Sequence, residues 1–303
     1  MEAGDADIYA ETSPEAHSVS RPWRPAFLRE LRADAERDGM LQATQDTLER
    51  ANVTVRTQGN METISSHEGG MLFIGNHERQ FEFVALMGVL SRLGRTSMKN
   101  IVKFYVEEQV EWCLGKAGTD IVLPVYPRLL DRDRKDKWNA ELGSRIMFHK
   151  LVQPAAVARP LTDQTVAAAS KELRDGGVVN IFPCGSIVDA NKEPWHDGVG
   201  RIIRGLSERE RKGVLVVPYH ANNISRGRLV AAVAARGRGP LARPQTIDLT
   251  VGVTHTATEV MDEVAEDKRD IPMAITDVLR AHYLSAFDGN TPEKPTDRHR
   301  LEQ

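Results

Sequence analysis

The sequence predicts an α/β protein: a mixed, largely parallel sheet flanked by helices on both faces, with an N-terminal helical extension. Two observations predict it. Compact apolar runs at 71–74, 121–125, 178–182 and 214–219 read as buried strands, and stretches of helical periodicity lie between them. Strands that are apolar throughout, rather than alternating, belong to sheets covered on both faces. A third observation concerns size. A chain of 303 residues buries roughly three quarters of its unfolded surface, so it needs no disulfide or metal staple.

In order along the chain, residues 1–24 are polar and aperiodic and are expected to form a mobile tail. Residues 25–52 are the helical extension: Phe27, Leu28, Leu31, Ala35, Met40, Leu41 and Leu48 recur near helical spacing between charges. An α/β domain is expected over 53–285. It opens with a short strand at Val53 and Val55, closed by Gly59-Asn60. Met71–Ile74 then leaves the sheet at Gly75-Asn76. A helical face follows over 79–93, a strand over 101–105, and a helix over 106–117. Ile121–Val125 is a buried strand, and 131–150 reads as helix. Thr162 or Asp163 caps a helix ending at Arg174 before Gly176-Gly177. Strands at 178–182, 214–219 and 247–253 and a helix over 256–284 complete the domain. Arg226–Arg243, rich in Arg, Gly and Ala, reads as a solvated loop or an anion contact. Residues 286–303 are expected to be a second tail.

Composition excludes several classes. Basic residues number 40 and acidic residues 43, a net charge of -3, which argues against a nucleic-acid partner. Two cysteines, Cys113 and Cys184, make no disulfide framework. No His or Cys stands at metal-ligand spacing: His77-Glu78 begins a zinc-protease pattern, but residue 81 is Phe. No metal is expected. No run of 18 apolar residues occurs, so no spanning helix is expected, and the acidic N-terminus lacks a secretory core. The expected location is cytoplasmic, with a peripheral contact at the inner face of a membrane left open. Arg21, Trp23, Arg24, Phe27 and Leu28 combine cations with bulky apolar groups, as an interfacial segment or a packed helix would.

Four strand exits carry polar chemistry. After the strand at 71–74 comes Asn76-His77, and a carboxylate, Glu82, follows five positions after the histidine. If a helix starts near 78, Glu82 reaches the His77 ring. It would fix the tautomer and leave the other nitrogen to take a proton. The same pair on an exposed helix end would do nothing. The second exit, Phe182-Pro183-Cys184-Gly185-Ser186, offers a close turn and a hydroxyl. Cys184 is either a buried inert thiol or a nucleophile. The third exit ends in Arg128, and the fourth carries His220.

These blocks, in this order, resemble the glycerol-phosphate and lysophosphatidate acyltransferase family. Asn76-His77-x4-Glu82 resembles its Asn-His-x4-Asp; Arg128 ends its second block; Phe182, Pro183, Gly185 and Ser186 keep the frame of Phe-Pro-Glu-Gly-Thr-Arg-Ser; Val217-Pro218 fits the fourth. Lys103 and Trp195-His196-Asp197-Gly198 resemble intervening features. The likeness covers about 53–285. It implies transfer of a fatty acyl group from a CoA or acyl-carrier-protein thioester to the hydroxyl of a lipid or other alcohol, in the manner of glycerolipid synthesis. The thioester is a co-substrate, and no cofactor is implied. His77 would be the base and Glu82 its orienting acid. Asn76, Lys103, Arg128, Phe182, Pro183, Cys184, Gly185 and Ser186 would bind substrate. A carrier protein and a membrane surface are the further partners it allows.

The departures are specific. Glu replaces Asp at 82, Cys184 replaces the third-block Glu, and Ile187 stands where Arg is expected. An isoleucine donates nothing to a phosphate. Either Arg79, Arg128 or Arg201 holds the acceptor phosphate, or the acceptor has none. The departures also leave open a thioester hydrolase and a lipid-binding relative without chemistry.

Overall fold

The computed structural model describes residues 26–76, 82–103, 114–125, 155–184, 195–224, 226–235, 243–264 and 270–287. Among these, eight strands form one sheet: β1 (Val53–Gly59), β2 (Gly70–Gly75), β3 (Lys99–Lys103), β4 (Val122–Val125), β5 (Val178–Ile181), β6 (Val214–Asn222), β7 (Gln245–Val251) and β8 (His255–Thr256). The order is β1-β7-β6-β2-β5-β3-β4, with β8 also pairing β6. The five strands from β6 to β4 are mutually parallel. β7 runs antiparallel to β6, and β1 runs parallel to β7. The sheet is mixed and mostly parallel, as the apolar runs predict.

Helices cover both faces because β2, β5 and β6 are buried on both. On one face, α1 (Ala26–Asp38), α2 (Met40–Arg50), α3 (Met61–Ser66), α4 (Glu82–Arg92) and α9 (Arg226–Ala235) pack over Met71, Phe73, Val217 and Tyr219. α5 (Lys116–Thr119) lies at the same side through Ala117. On the other face, α6 (Ala155–Arg174), α7 (Gly198–Arg204), α10 (Ala257–Val264) and α11 (Ile271–Phe287) pack over Leu72, Ile74, Val214 and Val216. The short α8 (Glu208–Arg211) precedes β6 and is closed by a Ser207–Glu210 capping box. Each fully buried Leu, Ile or Phe adds about 1.5–3 kcal/mol.

The extension is part of the first core. Ala35, Met40, Leu41, Ala43 and Leu48 are buried with the sheet residues. Gly39, at φ +84°, breaks the run into two helices.

Three sequence expectations are corrected. The helix ending at Arg174 starts at Ala155, not near Thr162, and carries Pro160 inside it. Ala158 is buried in line with Thr165, Ala169 and Leu173, so the apolar stripe extends across the proline. Arg226–Ala235 is a helix rather than a loop, because Leu229 and Ala232 reach the core. The 256–284 stretch is two helices, preceded by β8. α11 continues to Phe287, three residues past the expected helix end, because that ring is buried against Tyr283 and His220. The helices expected at 106–117 and 131–150 lie largely outside the described residues, as do both expected tails apart from Ala286 and Phe287.

β8 and β7 share one edge of β6 through a one-residue bulge. Between the pairs Tyr219–Val251 and Val216–His255, β6 contributes Val217 and Pro218, while the opposing chain contributes Gly252, Val253 and Thr254. Pro218 has no N–H for the ladder, and its carbonyl accepts from Gly252 N–H at 2.9 Å.

Candidate active site

The parallel strands bring the sequence-derived blocks to one edge of the sheet. β2 ends at Gly75, β5 at Ile181, β3 at Lys103, β4 at Val125 and β6 at Asn222. Crevices outside the carboxyl ends of such strands are where α/β sheets hold ligands. Gly75 pairs with Tyr219, and Ile74 with Ile181. Carried on along that register, Asn76 is level with Pro183.

Asn76 is fully buried and its amide is used by the main chain of β6. Ala221 N–H donates to Asn76 Oδ1 at 3.0 Å, and Asn76 Nδ2 donates to the Ala221 carbonyl at 3.3 Å. The side chain thus replaces the strand pairing that stops one residue earlier. A residue expected to touch substrate is engaged in fixing where the chain leaves the sheet.

Glu82 opens α4 and is 0% exposed. A carboxylate at a helix N-terminus is favoured by the helix dipole. Full burial is costly for a charge and calls for compensating polar contacts. Its charge is felt at Tyr219. Burial holds the Tyr219 phenol well above its ordinary value, and Glu82 and Tyr283 push it the same way, against a hydrogen bond to Asn180.

Tyr219 belongs to a buried polar row that sequence reasoning missed. Its hydroxyl donates to Asn180 Oδ1 at 3.0 Å, and Asn180 Nδ2 donates to Asn100 Oδ1 at 2.9 Å. The phenol crosses β2 to reach β5. Only glycine permits this: a Cβ on Gly75 would stand 2.4 Å from Tyr219 Cζ. The signal available in the sequence was an asparagine inside each of two strands, Val178-Val179-Asn180-Ile181 and Lys99-Asn100-Ile101.

Phe182 is half-buried against the first core, and Pro183 and Cys184 are buried. Cys184 is 4% exposed and packs in the second core beside Trp195. The Pro183 carbonyl accepts from His196 N–H at 3.0 Å, tying this exit to the Trp195–Gly198 segment. Lys103 ends β3 opposite Val125; its side chain lies outside the described residues. So do His77, Arg79, Arg128, Gly185 and Ser186. Arg201 is engaged by Asp163 in an ion pair.

His220 is a core histidine on the opposite side of β6 from Tyr219. Its Nε2 lies 2.9 Å from Asn222 Oδ1 and its Nδ1 3.0 Å from the Tyr283 hydroxyl. With the amide oxygen accepting, Nε2 carries the proton and Tyr283 donates to Nδ1.

No helix of the described residues is long and apolar enough to cross a membrane. No family model matches the chain, and no curated protein does. Among solved structures, the chain is similar to the 1-acyl-sn-glycerophosphate (LPA) acyltransferase PlsC from Thermotoga maritima. The two are 11% identical with a TM-score of 0.43, over 86% of this chain and 84% of that chain.

Proposed function

We propose that the protein transfers a fatty acyl group from a CoA or acyl-carrier-protein thioester to an acceptor hydroxyl. The observation that carries this reading is Glu82, a fully buried carboxylate at the start of α4, separated by five residues from the Asn76 clamp that ends β2. His77 stands directly after that clamp in the sequence. The four ordered sequence blocks support the same reading.

In this reaction His77 takes the proton of the acceptor hydroxyl, and Glu82 steadies the imidazolium. The acceptor oxygen bonds to the thioester carbonyl carbon. The carbon–sulfur bond then breaks, and the leaving thiolate takes the proton from His77. Amides near Gly185 stabilise the oxyanion. Lys103 and Arg128 hold anionic parts of donor or acceptor. Ile187 in place of the family arginine favours an acceptor without a phosphate. The burial of Cys184 argues against a hydrolase with a cysteine nucleophile.

The test is thiol release and intact-mass analysis of product. Donors are acyl-CoA and acyl-carrier protein; acceptors are glycerol 3-phosphate, lysophosphatidate and unphosphorylated alcohols. His77→Ala should lower transfer on the order of a hundredfold or more. Glu82→Gln should lower it too, with Glu82→Asp recovering part. Unchanged transfer in His77→Ala removes the assigned base. Free acid released equally with and without acceptor replaces transfer by hydrolysis.

A further inference from the structure

We propose that His255, Glu263 and His282 bind a divalent transition cation of the zinc class. The residues come from β8, the last turn of α10 and the body of α11. One ligand atom from each lies within 4.8 Å of the other two. The sequence spacing hides this set, because tertiary packing rather than a local motif assembles it. The proposal stands apart from the acyl-transfer reading.

Three features support it. The imidazoles of His255 and His282 stack with centroids 4.2 Å apart at an interplanar angle of 29°. His282 Nε2 is 2.9 Å from Glu263 Oε2, a spacing at which both atoms can face one cation when Nε2 carries no proton. His282 Nδ1 is buried and meets no hydrogen-bond partner among the described residues, so no hydrogen bond there holds the ring in one orientation.

The donor set decides the class of cation. Two imidazole nitrogens and one carboxylate oxygen suit zinc, cobalt, nickel or copper, whereas calcium and magnesium require oxygen ligands. Glu263 and His282 side chains are 43% and 23% exposed, which leaves the remaining coordination position to water. Ligand atoms around tetrahedral zinc stand about 3.3 Å apart for bonds of ~2.0–2.1 Å.

The frame around the ligands is fixed. His255 pairs with Val216 of β6. The next residue, Thr256, caps α10: its N–H and hydroxyl donate to Glu259 Oε2 at 2.6 and 3.0 Å. His282 precedes Tyr283, which holds His220. A cation here would clamp α10 and α11 onto the sheet. His255 is level with Val216, five residues along β6 from Ala221 at the candidate active site, or about 16 Å.

The test uses the full chain, stripped with a chelator and titrated with zinc chloride by calorimetry and with cobalt chloride by visible absorption. One equivalent per chain is expected, with a tetrahedral or five-coordinate cobalt spectrum and a rise in Tm on adding zinc. Glu263→Gln, at an exposed position, and His282→Gln should each weaken binding more than about tenfold. The exposed His196→Gln should leave it unchanged. If His282→Gln unfolds, Glu263→Gln and the spectrum carry the test. Absence of stoichiometric binding, or unchanged affinity in Glu263→Gln and in the His255→Gln/His282→Gln pair, overturns the proposal and leaves a solvated histidine–glutamate cluster.

Discussion

Asn76 and Ala221 exchange two hydrogen bonds, one in each direction, at the point where β2 stops pairing with β6. The exchange fixes the direction in which the chain departs toward residue 77.

Asn76→Ala should leave a buried N–H and a buried carbonyl unmet. The expected loss is about 1–3 kcal/mol of stability by urea unfolding. If the exchange positions His77, kcat should fall further than KM rises. Equal stability of variant and wild type would show that water takes over both groups.

Gly75→Ala should be among the most damaging single-methyl additions, because the new Cβ would overlap the Tyr219 ring at 2.4 Å. Overpacking of this kind costs about 1–3 kcal/mol or more. Tyr219→Phe keeps the ring and should not rescue it; Tyr219→Ala should relieve part of the penalty. A double-mutant cycle by denaturant unfolding reads the coupling, and additivity would refute the contact.

The caps predict a sign for acid sensitivity. Hydrogen bonds from the Thr256 backbone and then its hydroxyl hold the Glu259 carboxyl below its ordinary value of 4.5, partly opposed by burial. Glu210 is lowered in the same way by Ser207. A lowered folded-state pKa contributes stability that is present above the unfolded pKa and is lost as pH falls through the folded one. Tm should therefore fall below about pH 4.5 less steeply in Glu259→Gln than in wild type, from a lower plateau at pH 7. Parallel Tm profiles would remove Glu259 from the acid response.

Cys184 should resist alkylation in the native protein and react on unfolding, because it is buried in the second core, which also holds Trp195. Cys184→Ser should keep acyl transfer within a few-fold of wild type. Rapid native modification, monitored by mass in a Cys113→Ser background, would reopen the nucleophile reading.

The centre of the sheet was legible because β2, β5 and β6 are buried on both faces, so runs such as Met71–Ile74 and Val214–Val217 carry no alternation to misread. Glu82 was legible as one half of a spaced pair, although its burial was not. The Tyr219–Asn180–Asn100 row was not legible: its three members come from three strands, and only the sheet order brings them together. α9 was misread since its Arg and Gly content resembles a loop, while two positions, Leu229 and Ala232, hold it to the core. β8 is two residues long, too short for any periodicity to show.

The bulge opposite Pro218 acts as a parity device. Along β7, Ile247, Leu249 and Val251 are buried in the core that contains Tyr219. Strict alternation would carry residue 255 to that same side. The extra residue among Gly252, Val253 and Thr254 reverses the count, and His255 instead shares the side of Val216 and faces His282. Pairing carried straight through these three residues without the bulge would set His255 opposite Leu215, in the core that holds Val251, and turn it away from His282 without altering any ligand. The bulge among three otherwise plain positions is thus as much a determinant of that cluster as the identity of its histidines.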